Sequence, residues 1–183
     1  MTNEESQILS RCKDGDKTAF RWVVETYQRR AFSLALKMLA NEEEAKDVVQ
    51  EAFIRVWQEF DGYDMQRPFS TWLYTIVSRL CLNRLKRAQI IRSSPLDEQA
   101  LHRYTTDADS HRTLENREWI SIVRLLAEGL STKQRLVFTL SQLEGLTSAE
   151  VEQITGLSAL QVKSNLYVAR QTIRKRLKEL GYD

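Results

Sequence analysis

Gln161, Lys163, Ser164, Tyr167, Arg170 and Arg174 recur at helical spacing and carry amide, hydroxyl and cationic groups. Such groups make hydrogen bonds and ion pairs with a polyanion; they do not make or break covalent bonds. Glutamine reads adenine edges and lysine reads guanine, each good pair being worth about 1–3 kcal/mol of discrimination. The opposite side of the same segment carries Val162, Leu166, Ala169, Ile173, Leu177 and Leu180, spaced by four, three, four, four and three, so that side predicts a packed face. Upstream, Thr147 and Glu150 form a T-x-x-E capping box, and Ser158 and Gln161 form another. Gly156 between them permits the left-handed turn that ends a helix after Val151 and Ile154. Two short helices joined by a three-residue turn, with a packed back and a polar front, suit reading of the major groove. Capped helix pairs also occur in proteins that never touch nucleic acid. The basic run Arg174, Lys175, Arg176 and Lys178 favours the nucleic-acid reading, although such a run can simply solvate a helix end.

A second cationic set lies at Arg79, Arg84, Lys86, Arg87 and Arg92, beside Asn83 and with no acid until Asp97. The dipole of a helix C-terminus favours cations, but this excess is larger than the dipole alone requires. A third pattern is the polar stripe Asp47, Glu51, Arg55 and Gln58, flanked by Ile54 and Trp57. That flank is either an interaction surface or, for Trp57, the completion of a core. Enzyme chemistry finds no support. The chain has no glycine-rich phosphate loop, no H-E-x-x-H and no Cys–His constellation, and Asp61 and Asp64 lack an acid–base partner. No catalytic residue, cofactor or metal is expected. Cys12 and Cys81 fit no ligand spacing and read as reduced thiols, Cys81 semi-buried, while His102 and His111 stand in a polar stretch without a ligand role.

The elements that position these groups are helical. Only six Gly and two Pro occur in 183 residues, which favours an all-α fold. No apolar run reaches membrane-spanning length, and the start MTNEESQ lacks signal-peptide features, so a cytoplasmic protein is expected. The net charge of +2 is uneven: −2 over residues 1–60, +4 over 61–95, −3 over 96–130 and +3 over 131–183. Two basic segments separated by acidic ones suggest two distinct nucleic-acid contacts.

A first helical block runs from about Ser6 to Arg87. In it Ala19, Val23, Tyr27 and Ala31 share a face continued by Leu34, Met38 and Leu39. Asn41 caps the next helix, whose stripe is Ala45, Val49, Ala52, Val56 and Phe60. Asp61 to Pro68 reads as a loop, and Ser70 or Thr71 starts a helix bearing Trp72, Leu73, Ile76, Val77, Leu80 and Leu85. From about Ala88 to Glu115 apolar periodicity fails, as in a flexible acidic linker. Helical pattern resumes near Asn116 with Trp119, Ile122, Val123 and Leu126, and a third capping box at Ser131 and Gln134 opens a helix through Leu143.

The order of these pieces resembles bacterial RNA polymerase σ factors of the extracytoplasmic-function class, over nearly the whole chain. AKDVVQEAFIRVW (Ala45–Trp57) looks like the family's core-binding helix, and RPFSTWLYTIVSRLCLNRLKR (Arg67–Arg87) like its promoter-melting segment. LSTKQRLVFTLSQLEGLTSAEVEQITGLSALQVKSNLYVARQTIRKRL (Leu130–Leu177) looks like its C-terminal domain. The resemblance implies a σ2 domain at residues 1–90, an acidic linker at 91–115 and a σ4 domain at 116–183. It implies a non-catalytic subunit that binds core RNA polymerase through the β′ clamp helices and the β flap and directs it to promoters. By the same resemblance, Asp47, Gln50, Glu51, Ile54 and Trp57 would meet the clamp helices. Tyr63 would hold a base flipped from the −10 element, or else pack its loop. Arg79, Asn83, Arg84 and Arg87 would meet the −10 strand or adjacent phosphates. Gln161, Lys163, Ser164 and Tyr167 would face −35 bases, with Arg170 and Arg174 towards phosphates. An anti-σ protein is a further partner the family suggests, and the linker would lie in the polymerase's RNA path. Leu160-Gln161 replaces a Gly-Thr pair common in the family, Val168 a basic residue and Arg79 an asparagine, so promoter sequence does not transfer.

A dimeric DNA-binding regulator is the competing reading. Contact with about four phosphates gives a salt slope near −3.6, a loss of about a hundredfold between about 50 and 200 mM, which leaves little affinity for a free regulator. No spare helix for self-pairing is visible. Two modules on a loose tether, held apart only by a larger machine, are therefore expected.

Overall fold

Asp16 sets the first corner. One carboxylate oxygen accepts from the backbone N–H groups of Thr18 at 2.8 Å and Ala19 at 3.1 Å, while the other is gripped by Arg11 at 2.6 Å. The chain thereby turns from α1 (Asn3–Lys13) into α2 (Lys17–Leu39). The computed structural model describes residues 3–93, 129–179 and 181, together with 122, 124 and 125. Most of the expected linker, both histidines, Trp119, Val123, Leu126 and Leu180 lie outside the described residues.

Helix α2 buries the expected face, from Ala19 and Val23 through Tyr27, Ala31 and Leu34 to Met38. It stops at Ala40, whose φ of 50° is left-handed and whose carbonyl accepts from Arg124 at 3.1 Å. Asn41 then caps α3 (Glu42–Gln58) by accepting from the Glu44 N–H at 3.1 Å, as the sequence implies. Helix α3 buries Ala45, Val48, Ala52, Phe53 and Val56, so Val48 and Phe53 join the stripe and Val49 sits at its edge. After a 3₁₀ turn at Phe60–Gly62, α4 runs Phe69–Ser93, past the boundary expected at residue 90.

In the C-terminal part, Ser131 and Gln134 make the reciprocal box that opens α5 (Thr132–Phe138). The helix does not continue as α to Leu143. It widens into a π turn, Thr139–Leu143, in which the Glu144 N–H bonds the Thr139 carbonyl at 2.9 Å. The extra residue in that turn re-aims whatever follows it. Helix α6 (Ser148–Thr155) is closed by Gly156 at φ 70°, and α7 (Ala159–Glu179) completes the helix-turn-helix. No strand occurs among the described residues, and the architecture is all-α.

The two modules pack on one another. Helix α6 lies against α4 and the π turn against α2, and one apolar cluster runs from Leu9 in α1 to Val162 in α7. Glu144, at the end of the π turn, accepts from Lys37 at 2.7 Å and Ser33 at 3.3 Å on one oxygen, and from Tyr74 at 3.0 Å on the other. The sequence left the arrangement of the modules in the free chain open, and here they are packed together. A helix-turn-helix of this size has too little core to cover Leu136, Leu140, Val151 and Ile154 by itself, and α4 offers the missing apolar surface.

Candidate nucleic-acid and polymerase interfaces

Helix α7 buries Val162, Ala169 and Ile173 and half-buries Leu166 and Leu177. Its opposite face stays open even with the modules packed: Lys163, Ser164 and Arg174 are exposed and Tyr167 is 65% exposed. Arg170 is also exposed, but its guanidinium is steadied by two hydrogen bonds to the Gln142 amide oxygen, at 3.0 and 3.3 Å. Gln161 departs from expectation. Its side-chain oxygen accepts from the Ser158 N–H at 3.0 Å and hydroxyl at 3.3 Å, so the capping box consumes the acceptor that a bidentate contact with adenine would need. Leu160, beside it, is 77% exposed. A helical wheel drawn from the buried residues puts Leu160 on the outer face, an apolar side chain that a search for polar groups on that face passes over.

On α4, Arg79, Asn83 and Arg87 are exposed at four-residue intervals and form one polar stripe. Arg84 is not part of it. This arginine is half-buried and paired with Glu44 at 3.2 Å and Glu51 at 3.5 Å, tying α4 to α3. In the described structure it braces the two helices, so any contact with the −10 strand would share its guanidinium with two carboxylates. Tyr63 takes the second of its two readings and packs its loop. The ring is 2% exposed, stacks on Trp72 at 4.9 Å and meets Phe60 and Phe69 edge-on, and its hydroxyl donates to the Arg67 carbonyl at 2.5 Å. Burial pushes the phenol up to about 12. In this arrangement the ring holds the loop in shape.

A groove of about 810 Å³ opens between α2 and α3. Its apolar wall includes Phe20, Val24, Phe53, Ile54 and Trp57, and Lys17, Arg29 and Lys46 stand at its edge. Gln50, Ile54 and Trp57 of the expected polymerase-binding set thus come together. Asp47 stays exposed outside the groove lining, and Glu51 bonds Arg55 at 2.7 Å besides Arg84. Trp57 packs on Phe20 at 4.8 Å and also lines the groove. Ile54 is 50% exposed and continues the apolar wall of the groove, and a contiguous exposed apolar patch marks an interaction site. Both cysteines are free and buried, Cys81 completely, more deeply than the half-burial expected. No cluster able to hold a metal occurs among the described residues, and none of their helices is long and apolar enough to cross a membrane.

Two helical modules, one bearing a polar-fronted helix-turn-helix and the other an exposed cationic stripe and an apolar groove, define a class of multi-contact nucleic-acid-binding protein. Comparison with known proteins narrows the class. Residues 23–90 match the model of Sigma-70 region 2, and residues 120–173 that of Sigma-70, region 4. The chain is 29% identical to the ECF RNA polymerase sigma factor SigW of Bacillus subtilis (strain 168), over 94% of this chain and 96% of that one. It is 28% identical to the ECF RNA polymerase sigma-E factor of Escherichia coli (strain K12), over 94% of each. In fold it is similar to CnrH, solved in complex with the cytosolic domain of CnrY, with a TM-score of 0.70, 23% identity and 96% and 97% of the two chains covered. RpoE of Bartonella quintana, solved with the anti-sigma factor NepR, gives 0.65 at 19% identity over 87% and 96%. The chain belongs to the σ70 family, in its extracytoplasmic-function branch.

Proposed function

We propose that this protein binds core RNA polymerase through the α2–α3 groove and directs initiation at promoters whose −35 element is read by α7 and whose −10 element meets the Arg79–Asn83–Arg87 stripe of α4. The observation that carries the reading is the open outer face of α7, with Lys163, Ser164 and Tyr167 exposed above a back buried at Val162, Ala169 and Ile173. The exposed Ile54 in an apolar groove supports a helical protein partner on that wall. Opening of the duplex falls to the α4 stripe and its loop, with Tyr63 as scaffold. An anti-σ protein that covers the groove or α7 would silence the chain, as the partners of CnrH and RpoE suggest.

Packed modules cannot reach both elements at once. A compact chain of this length has a radius of gyration of about 16 Å. At 3.4 Å per base pair, two elements about twenty base pairs apart lie about 70 Å apart along the duplex. Engagement of both requires the Glu144 contacts to part. That is the physical sense of a subunit that relies on polymerase.

Run-off transcription tests the reading. Core enzyme plus this chain should start at discrete sites, and the chain alone should shift little duplex. Tight footprints without polymerase, and no run-off product with it, would replace this reading with an autonomous regulator.

A further inference from the structure

Leu160 is the most exposed of the large apolar side chains among the described residues, at 77%. It stands in the first turn of α7, two residues after the capping Ser158, on the face opposite Val162, Ala169 and Ile173. Ser164 and Tyr167 follow it at intervals of four and three, so the three side chains form one outward row. Lys163, Arg170 and Arg174 flank that row. In the free protein a leucine there gains nothing, since no neighbour covers it.

The surroundings restrict what can. A cationic and hydroxyl-bearing face with an open helix start fits a polyanion, and the first turn of a recognition helix is the part that approaches base edges. In the major groove the one apolar feature among the unmodified bases is the C5-methyl of thymine. The neighbour that would otherwise read a base here, Gln161, has its carbonyl occupied by Ser158. The position nearest the helix start is thus left to an apolar side chain.

We propose that Leu160 is a specificity-determining residue that packs on a thymine C5-methyl in the upstream promoter element. The proposal rests on the assignment of α7 as the −35 reader and gives that reader one base preference. No hydrogen bond is needed. Discrimination comes from removing two apolar groups from water together, and a cytosine at that place would set a bare, polar edge against the leucine.

The test uses holoenzyme reconstituted from the full chain and core polymerase. Duplex templates carry a randomised upstream window ahead of a promoter on which the holoenzyme is active, and transcripts report which templates are used. Wild-type protein is expected to enrich a T·A pair at one position. Leu160→Ala, an exposed change to a better helix former, should lower that preference about fivefold, the low end of the cost of one mismatched pair, and leave the other positions unchanged. Replacing that thymine by deoxyuridine, which removes only the methyl, should cost wild type the same factor and the variant nothing. A variant that keeps the thymine preference, loses all positions equally or remains sensitive to deoxyuridine overturns the proposal. Wild type that enriches no upstream sequence at all overturns instead the assignment of α7 beneath it.

Discussion

Glu144 and Lys37 are 107 residues apart in the chain and 2.7 Å apart in the fold, with side chains only 9% and 16% exposed. Lys37 also donates to the Leu143 carbonyl at 3.1 Å, so a single ammonium holds both the end of the π turn and its carboxylate. Tyr74 adds a neutral donor, because burial, then the charge of Glu144, pushes its phenol far above the usual range. The pair joins α2 of the first module to the entrance of the helix-turn-helix.

Breaking a buried pair by removing one partner costs about 3–5 kcal/mol, since the remaining charge is stranded. Glu144→Ala is therefore expected to lower stability by about 3 kcal/mol and to expand the chain in small-angle scattering. Combined with Lys37→Ala, the losses should fall short of additivity by about 1–3 kcal/mol. Strict additivity in urea melts would mean that the pair does not clasp the modules.

Tyr63 distinguishes a scaffold from a base holder. Tyr63→Ala should cost about 3–5 kcal/mol, as for other buried aromatics, while Tyr63→Phe should lose only about 1 kcal/mol with the Arg67 hydrogen bond. Promoter opening, followed by permanganate reactivity of unpaired thymines, should survive in Tyr63→Phe. Unchanged stability in Tyr63→Ala together with lost opening would restore the base-holding role.

Arg135 is a site where the chain is less stable than it needs to be. Its Nε and Nη2 are buried with no hydrogen-bond partner among the described residues, and burial lowers its pKa to about 10, against an opposing pull from Cys81. Orphaned donors of this kind cost about 1–3 kcal/mol. Arg135→Met should therefore raise Tm, at about 2–4 °C for each kcal/mol relieved in a chain of this size. A fall in Tm would show that the guanidinium is satisfied in solution.

The thiols set an alkaline limit. Burial pushes Cys81 up to about 12 and Cys12 up to about 11, from an ordinary value of 9.0. Because the folded values are raised, the stabilisation is complete below pH 9 and is lost as pH climbs from 9 towards 11 and 12. Stability should fall with pH over that range, and less steeply in a Cys12→Ala, Cys81→Ala variant. Equal slopes in the two proteins would mean that both thiols titrate as in the unfolded chain.

Much of the fold was legible because the signals are local. The Thr147–Glu150 and Ser131–Gln134 boxes, the Asn41 cap and the Gly156 stop each concern atoms within four residues of one another. The α2 stripe from Ala19 to Met38 is a periodicity, and periodicity survives packing. The misses share a different cause. Val48 and Phe53 lie at the margin of a stripe, where the neighbour decides burial; Arg84 looked free until α3 brought Glu44 and Glu51 to it. Gln161 carried two competing uses, cap and reader, and the spacing that revealed the first concealed its cost to the second.

Composition, caps and hydrophobic spacing determined that the chain would be all-helical, that α7 would have a packed back, and that its front would carry Lys163, Ser164 and Tyr167. Those are properties of one helix at a time. Tertiary structure alone decided that Tyr63 would be core, that Leu160 would stand uncovered, and that Glu144 would join two modules through Lys37, Ser33 and Tyr74. Contacts across 70 to 111 residues depend on which surfaces remain unburied after each helix has formed, and no run of neighbouring residues carries that information.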